Sequence, residues 1–108
     1  MMTREELEVY SPATNAAVIR PPGRRFPGMV VQGDTLSLLC DAALDVAARL
    51  RQLGVQDEAC LSATKDLIDG LVGRILHYQD VLDAHNIELP YAKRYTESDL
   101  VRLSPDEC

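Results

Sequence analysis

Residues 34–56 read DTLSLLCDAALDVAARLRQLGVQ, and this stretch decides the fold. Apolar residues recur in it at spacings of three and four, which is the period of one helix face. Asp34, or Thr35 beside it, is a suitable N-cap, and Gly54 is typical of a residue that ends a helix in the left-handed conformation. The stretch therefore predicts a helix over residues 34–53, with a core face of Leu36, Leu39, Ala43, Val46, Leu50 and Leu53.

A second, longer helix is predicted for residues 57–86, with Asp57 as its N-cap. The three-residue loop over residues 54–56 favours antiparallel packing of the two helices. The second helix exceeds the first by about ten residues, so its overhang needs cover from the N-terminal strands, the tail or a second copy. Its core face is predicted to comprise Thr64, Ile68, Leu71, Ile75, Tyr78, Leu82 and His85, widened by Leu67, Val72, Leu76 and Val81.

The N-terminal third differs from the helical part, because it is rich in turn formers and β-branched residues. Short strands are predicted at residues 8–10, 17–20 and 29–32, and a short last helix is predicted to begin after Thr96 or Ser98. The fold class is thus α+β, mostly α: an antiparallel helical hairpin with short N-terminal β-strands. We expect a single domain over residues 1–108, made of strands and loops in 1–33, a helical body in 34–103 and a flexible tail in 104–108.

The charge of the chain is acidic and uneven. The net charge is −6 over 108 residues. Residues 1–33 carry four basic and three acidic side chains, whereas residues 34–108 carry seven basic and fourteen acidic ones, so the two parts sum to +1 and −7. An acidic body repels nucleic acid and anionic lipid and favours a basic protein partner, or no charged partner at all, since solvation alone explains such a charge more often than a partner does. No stretch approaches the roughly 18 apolar residues of a membrane span, and we expect a cytoplasmic protein.

The strongest candidate for ligand binding is a pair of arginines that precedes the first helix. Arg24 and Arg25 lie in a Pro- and Gly-rich loop, and Gln32, Gly33 and Asp34 follow at the helix N-terminus. Guanidinium groups beside free backbone N–H groups can bind an anion. The alternative is a rigid connector whose arginines pair with acids of the helical body.

The sequence gives little support for catalysis, metal binding or cofactor binding. The three cysteines are unevenly spaced and lack a CxxC pair, which favours buried apolar roles for Cys40 and Cys60. His77 and His85 are eight residues apart and lack the spacing of a zinc helix. The aspartate pairs at 41 and 45 and at 66 and 69 lack the longer carboxylates of helical magnesium enzymes and are interpreted as solvated. We expect no catalytic residue, no metal and no cofactor.

Three segments carry a family resemblance. They are PGRRFPG at residues 22–28, QGDTL at 32–36 and LPY at 89–91. Together they resemble a small family of uncharacterised bacterial domains with a PGRxFPG…QGDxL…LPY pattern. The resemblance covers about residues 8–92 and implies no assigned activity. By association only, the resemblance implies a role like that of other small acidic bacterial proteins, which are often immunity proteins or partners encoded beside a toxin.

These observations leave three hypotheses of function. The first is a non-catalytic protein-interaction module, such as an immunity-like inhibitor of a basic partner. The second is a small-ligand or anion-binding helical protein, or a weak enzyme, that uses the Arg24/Arg25 loop and the first helix N-terminus. The third is a structural homo-oligomer. A homodimer is expected because the wide apolar stripe of the second helix needs cover.

Overall fold

A computed structural model describes residues 2–13 and 15–101. The chain divides into two compact units, residues 1–32 and 33–108, here called the sheet unit and the helical unit. This division falls one residue from the predicted change of composition, and the single-domain organisation stays a prediction. The predicted flexible tail, residues 104–108, lies outside the described residues.

The helical unit contains the predicted hairpin. Helix α1 spans Gly33–Gln52 and helix α2 spans Glu58–Ala84, joined by a five-residue connection. A short 3₁₀ helix, Glu97–Val101, follows near the C-terminal end of the described residues. The α+β class with mostly helical content is confirmed.

The core of the helical unit uses a different face of α1 from the predicted one. Leu39, Val46 and Leu53 are exposed, so the prediction of these core residues is wrong. Small residues allow the two helices to approach closely, and the large residues on α1 lie on a second stripe that the periodicity alone could not separate from the first. On α2 the predicted face is correct at Thr64, Ile68 and Ile75. The buried residues of α1 are Gly33, Ser37, Cys40, Ala43, Leu44 and Ala47, and those of α2 are Thr64, Ile68, Val72, Ile75 and Gln79.

Both helices end in the same backbone motif. At the end of α1, Gly54 has a positive φ of 65°, and the N–H of Val55 donates to the carbonyl of Leu50 at 3.0 Å. At the end of α2, Asn86 has a φ of 57°, and the N–H of Ile87 donates to the carbonyl of Leu82 at 2.9 Å. These are Schellman motifs, in which a left-handed residue satisfies the last helical carbonyls. The predicted stop at Gly54 is confirmed, and Asn86 takes the same place on α2.

The helix starts differ from each other. Asp57 caps α2 as predicted, because its carboxylate accepts from the N–H of Cys60 at 3.1 Å. Helix α1 begins at Gly33, one residue before the predicted cap, so Asp34 lies inside the first turn. Its carboxylate accepts from the adjacent N–H of Thr35 at 2.8 Å rather than from a residue two or three positions further along. The predicted cap at Asp34 or Thr35 is therefore wrong.

The sheet unit is a three-stranded antiparallel sheet in the order β1-β2-β3. Strand β1 spans Glu8–Ser11, β2 spans Val18–Arg20 and β3 spans Gly28–Met29. The third strand is shorter than the predicted 29–32, although the N–H of Val30 still donates to the carbonyl of Ala17 at 2.8 Å. No described residue of the sheet unit is buried.

Candidate functional site

A buried amide organises the polar interior of the helical unit. Gln79 on α2 donates to the backbone carbonyl of Tyr95 at 2.9 Å, and its carbonyl oxygen accepts from the backbone N–H of Tyr95 and the hydroxyl of Tyr91, each at 2.9 Å. This side chain therefore satisfies all its polar atoms while holding the C-terminal segment against α2. The segment covers part of the predicted α2 overhang, and it lies before the tail of residues 104–108, so it is not among the three covers that the sequence suggested.

The hydroxyl of Tyr95 extends this network to α1. It donates toward the carboxylate of Asp41 and the backbone carbonyl of Ser37, the second at 2.9 Å. Burial, and next the Asp41 carboxylate, raise the pKa of Tyr95 to about 12. Burial also raises the pKa of the Cys40 thiol to about 11. Both groups are therefore protonated at neutral pH, and the network links the C-terminal segment to α1 as well as to α2.

An exposed ion pair fixes the same segment from outside. Arg94 forms a two-bond pair with the Asp83 carboxylate on α2, at 2.9 and 2.7 Å. Asp83 lies in the chain between His77 and His85, the two histidines whose spacing does not favour a metal site. In the described part of the chain, no three His, Cys, Asp or Glu side chains converge as metal ligands would.

The arginines of the predicted anion site point to different places within the sheet unit. Arg24 lines a cleft of about 550 Å³ together with Arg20 and residues 21–23. Arg25 lies over the ring of Phe26, with its guanidinium carbon 5.2 Å from the ring centroid. Acidic side chains enter the same cleft, since Glu8 lines it and pairs with Arg20 at 2.5 Å. One arginine is thus available to a ligand in the cleft, while the other stacks on an aromatic face.

The remaining predicted site residues lie at the junction of the units. Gln32 is exposed at the end of the sheet unit, and Asp34 is exposed in the first turn of α1. Gly33 is buried, because the ring and hydroxyl of Tyr78 occupy the space that a Cβ at Gly33 would fill. Tyr78 of α2 therefore covers Gly33, the first residue of α1, and both residues belong to the helical unit. A site formed jointly by Arg24, Arg25, Gln32, Gly33 and Asp34 stays a prediction.

The strand register brings three apolar side chains onto one face of the sheet unit. The register pairs Val9 with Ile19, and Ile19 with Gly28, so Val9 and Ile19 lie on one face and Val30 follows on it by alternation. Val9 and Val30 are exposed and Ile19 is half-buried. We call these three residues the open sheet face. The sequence did not predict this face. The strands were predicted one at a time, and only the register between them shows which side chains share a face.

The helical unit has a second exposed apolar surface, on α1. Leu38, Leu39, Val46 and Leu53 are all exposed. We call these four residues the outer stripe. The sequence signal for it was strong, since three of the four had been assigned to the core. The open sheet face and the outer stripe are thus two exposed apolar surfaces of the described residues.

The fold and these surfaces define a small α+β protein with exposed apolar faces and a polar network that serves structure. A family model matches residues 2–91, and the chain belongs to that family of unknown function, DUF6959. No curated protein and no solved structure matches the chain. Within the described residues, no helix is long and apolar enough to cross a membrane.

Proposed function

We propose that this protein is a non-catalytic protein-interaction module. The open sheet face is the observation that carries this proposal. A small sheet gains stability by burying an apolar face, and none of the described residues 2–13 and 15–32 is buried. An apolar face left in solvent on a small sheet is typical of a binding surface.

The partner that fits best is a basic protein. The chain as a whole carries a net charge of −6, so at low ionic strength it attracts a cationic protein over long range and accelerates encounter, although the residues around the open sheet face are not themselves acidic overall. An immunity-like inhibitor, which blocks a basic target by binding it, is the specific form of this role that we propose. A cytoplasmic location follows from the same proposal.

We also propose that the family is bacterial and that the PGRxFPG…QGDxL…LPY pattern is its signature. All three segments of the pattern, at residues 22–28, 32–36 and 89–91, lie within the matched residues 2–91.

Capture from the native host, followed by measured affinity, tests the interaction proposal. The tagged protein is passed through host lysate, the retained protein is identified by mass spectrometry, and its affinity is then measured in purified form at low and high salt. We expect one stoichiometric basic partner whose binding weakens with salt.

A matched pair of variants locates the binding surface. Val30 on the open sheet face and Val81 on α2 are both 41% exposed. Val30→Glu should weaken binding of the purified partner at least tenfold, whereas Val81→Glu should leave it unchanged. Equal binding by both variants would remove the open sheet face from the proposal, and absence of any stoichiometric partner would end it.

A second candidate function is anion binding in the Arg24 cleft. The specific observation in its favour is that Arg20 and Arg24 both line the cleft. Titration with inorganic phosphate to millimolar concentration should shift the Arg24 amide resonance, and Arg24→Ala should abolish the shift while Arg25→Ala should keep it. The absence of any shift in the unmodified protein would reject this function.

A further inference from the structure

The outer stripe of α1 is regular as well as exposed. Leu38, Leu39, Val46 and Leu53 expose 69%, 46%, 47% and 77% of their surface. Leu39, Val46 and Leu53 are seven residues apart, so they form one line along the helix. Ala42 lies between them on the same side and is exposed. A seven-residue repeat of large apolar side chains occurs on helices that pack on other helices; Ala42 occupies the intervening position in the first repeat and Arg49 in the second.

Three residues of the stripe, Leu39, Val46 and Leu53, are symmetric about Val46, whereas Leu38 has no counterpart. Val46 lies midway between the two leucines, with seven residues on either side. A two-fold axis beside Val46 would therefore place Leu39 of one helix level with Leu53 of the other and Val46 against its own copy. The same surface is then used by both partners, as a two-fold interface requires.

The charges beside the stripe select the direction of packing. Asp45 and Arg49 flank it on one side, both exposed, and among the described residues neither has an ion-pair partner. In the antiparallel arrangement centred on Val46, Arg49 of one helix lies only about 3 Å along the axis from Asp45 of the other, from the rise of 1.5 Å per residue. A parallel two-fold arrangement would place this side of the two helices on opposite sides of the interface, so Asp45 of one copy could not pair with Arg49 of the other.

The available area sets the strength of such a contact. Helix α1 has 20 residues and is about 30 Å long. A specific interface needs roughly 1,000 Å² of total buried surface, which two helices of this length reach only by packing along the whole stripe. The resulting interface lies at the small end of stable ones, so dissociation in the micromolar range is expected.

We propose that the outer stripe is the interface of a homodimer, in which α1 of one copy packs antiparallel against α1 of a second copy around a two-fold axis at Val46. This interface shares no residue with the open sheet face. It therefore goes beyond the proposed binding of another protein and is tested separately.

The first experiment measures the mass of the full chain by sedimentation velocity in reducing buffer, from about 5 to 500 µM, a range chosen to span micromolar dissociation. The reducing buffer removes any contribution from disulfides. We expect a reversible monomer–dimer equilibrium. Leu39→Glu on the stripe should raise the dissociation constant at least tenfold, while Leu67→Glu on α2, where the leucine is 53% exposed, should leave it unchanged.

The second experiment tests the register by charge exchange. Asp45→Arg places two arginines opposite each other, and Arg49→Asp places two aspartates opposite each other, so each variant alone should be monomeric at concentrations where the unmodified protein is dimeric. An equimolar mixture of the two variants restores opposite charges at both contacts and should form a heterodimer. Far-UV circular dichroism checks that each variant is folded.

Three results would overturn this homodimer. They are a monomer at the highest concentration, an equal effect of Leu39→Glu and Leu67→Glu, and failure of the mixed charge variants to associate. A monomer that still captures a basic partner would leave the proposed function standing, because that function depends on the open sheet face. A dimer that captures no basic partner would support the homodimer and would contradict the proposed function.

Discussion

The two units of this chain bury their apolar side chains to different extents. In the helical unit, Cys40, Val72 and Ile75 have no exposed surface, and the polar groups among them are paired through Gln79 and Tyr95. In the sheet unit, every described side chain is at least partly exposed, and its polar contacts, such as that between Glu8 and Arg20, face water. The comparison shows that the buried core of the described residues lies in the helical unit, and it underlies the proposal that the sheet unit binds a partner.

The largest effect should come from a charge in the core of the helical unit. Val72→Asp places an unpaired carboxylate at a position with no exposed surface, which should destabilise the protein by more than about 4 kcal/mol, because a buried charge without a partner is among the costliest changes. The control is Val81→Asp on the same helix, where the valine is exposed. Urea denaturation followed by helical circular dichroism should show a change of no more than about 0.5 kcal/mol for the control. Similar losses for both variants would mean that the core is assigned wrongly.

Removal of a tyrosine hydroxyl should lower the free energy of unfolding in the helical unit and leave it unchanged in the sheet unit. Tyr95→Phe removes the donor to Ser37 and Asp41 and leaves the buried Ser37 carbonyl without that hydrogen bond, so we expect a loss of about 1–2 kcal/mol in the free energy of unfolding. Tyr10→Phe removes a donor to the exposed Glu8 and should have no measurable effect on the same transition. An unchanged midpoint for Tyr95→Phe would show that the buried network is not a stabilising anchor.

The same tyrosine makes stability depend on alkaline pH. Its pKa is about 12 in the folded protein against an ordinary value of 10.0, chiefly because burial disfavours the phenolate. A group whose pKa is raised by folding contributes stability that is fully present below pH 10 and is lost as the pH rises toward 12. Tyr91 behaves alike, since burial raises its pKa to about 12. Urea midpoints at pH 9, 10 and 11 should therefore fall less steeply in Tyr95→Phe than in the unmodified protein, and parallel curves would contradict this.

Replacing each of two glycines of the helical unit by alanine should change the stability of the protein in opposite directions. At Gly33 a Cβ would overlap the ring and hydroxyl of Tyr78, so Gly33→Ala should destabilise by about 1–3 kcal/mol, as overpacking does. At Gly73 a Cβ would meet open space in the described structure, so Gly73→Ala should stabilise by up to about 1 kcal/mol through helix propensity. Thermal denaturation of the two variants measures both. Stabilisation by Gly33→Ala would mean that Tyr78 does not cover the start of α1.

The helices were predictable because local patterns specify them. The cap at Asp57 and the stop at Gly54 are each determined by a few adjacent residues, and both are confirmed. The choice of core face on α1 is not local. Two apolar stripes coexist on that helix, and the packing partner, α2, accepts the stripe of small residues because it allows close approach. Only the packing shows that Leu39, Val46 and Leu53 remain outside.

The candidate surfaces were less predictable than the fold. The open sheet face depends on the register that pairs Val9 with Ile19, and a shift of one residue would have turned these side chains to the opposite face. The Gln79 anchor depends on a contact across 16 residues with a segment that carries no strong pattern of its own. Neither feature can be derived from spacing along the chain, because each arises when separate elements meet.

The smallest expected effect concerns the exposed ion pair of the sheet unit. The hydrogen bond from Arg20, followed by that from Tyr10, holds the pKa of Glu8 below its ordinary value of 4.5. A carboxylate whose pKa is lowered by folding contributes stability above its unfolded pKa and loses it as the pH falls, so the contact should weaken only in acid. Nuclear magnetic resonance titration should give a Glu8 midpoint below 4.5 that rises in Arg20→Gln, while the resonances of Val72 and Ile75 stay unchanged. If the core resonances moved with Glu8, the two units would share one cooperative structure, and the contrast between them would have to be abandoned.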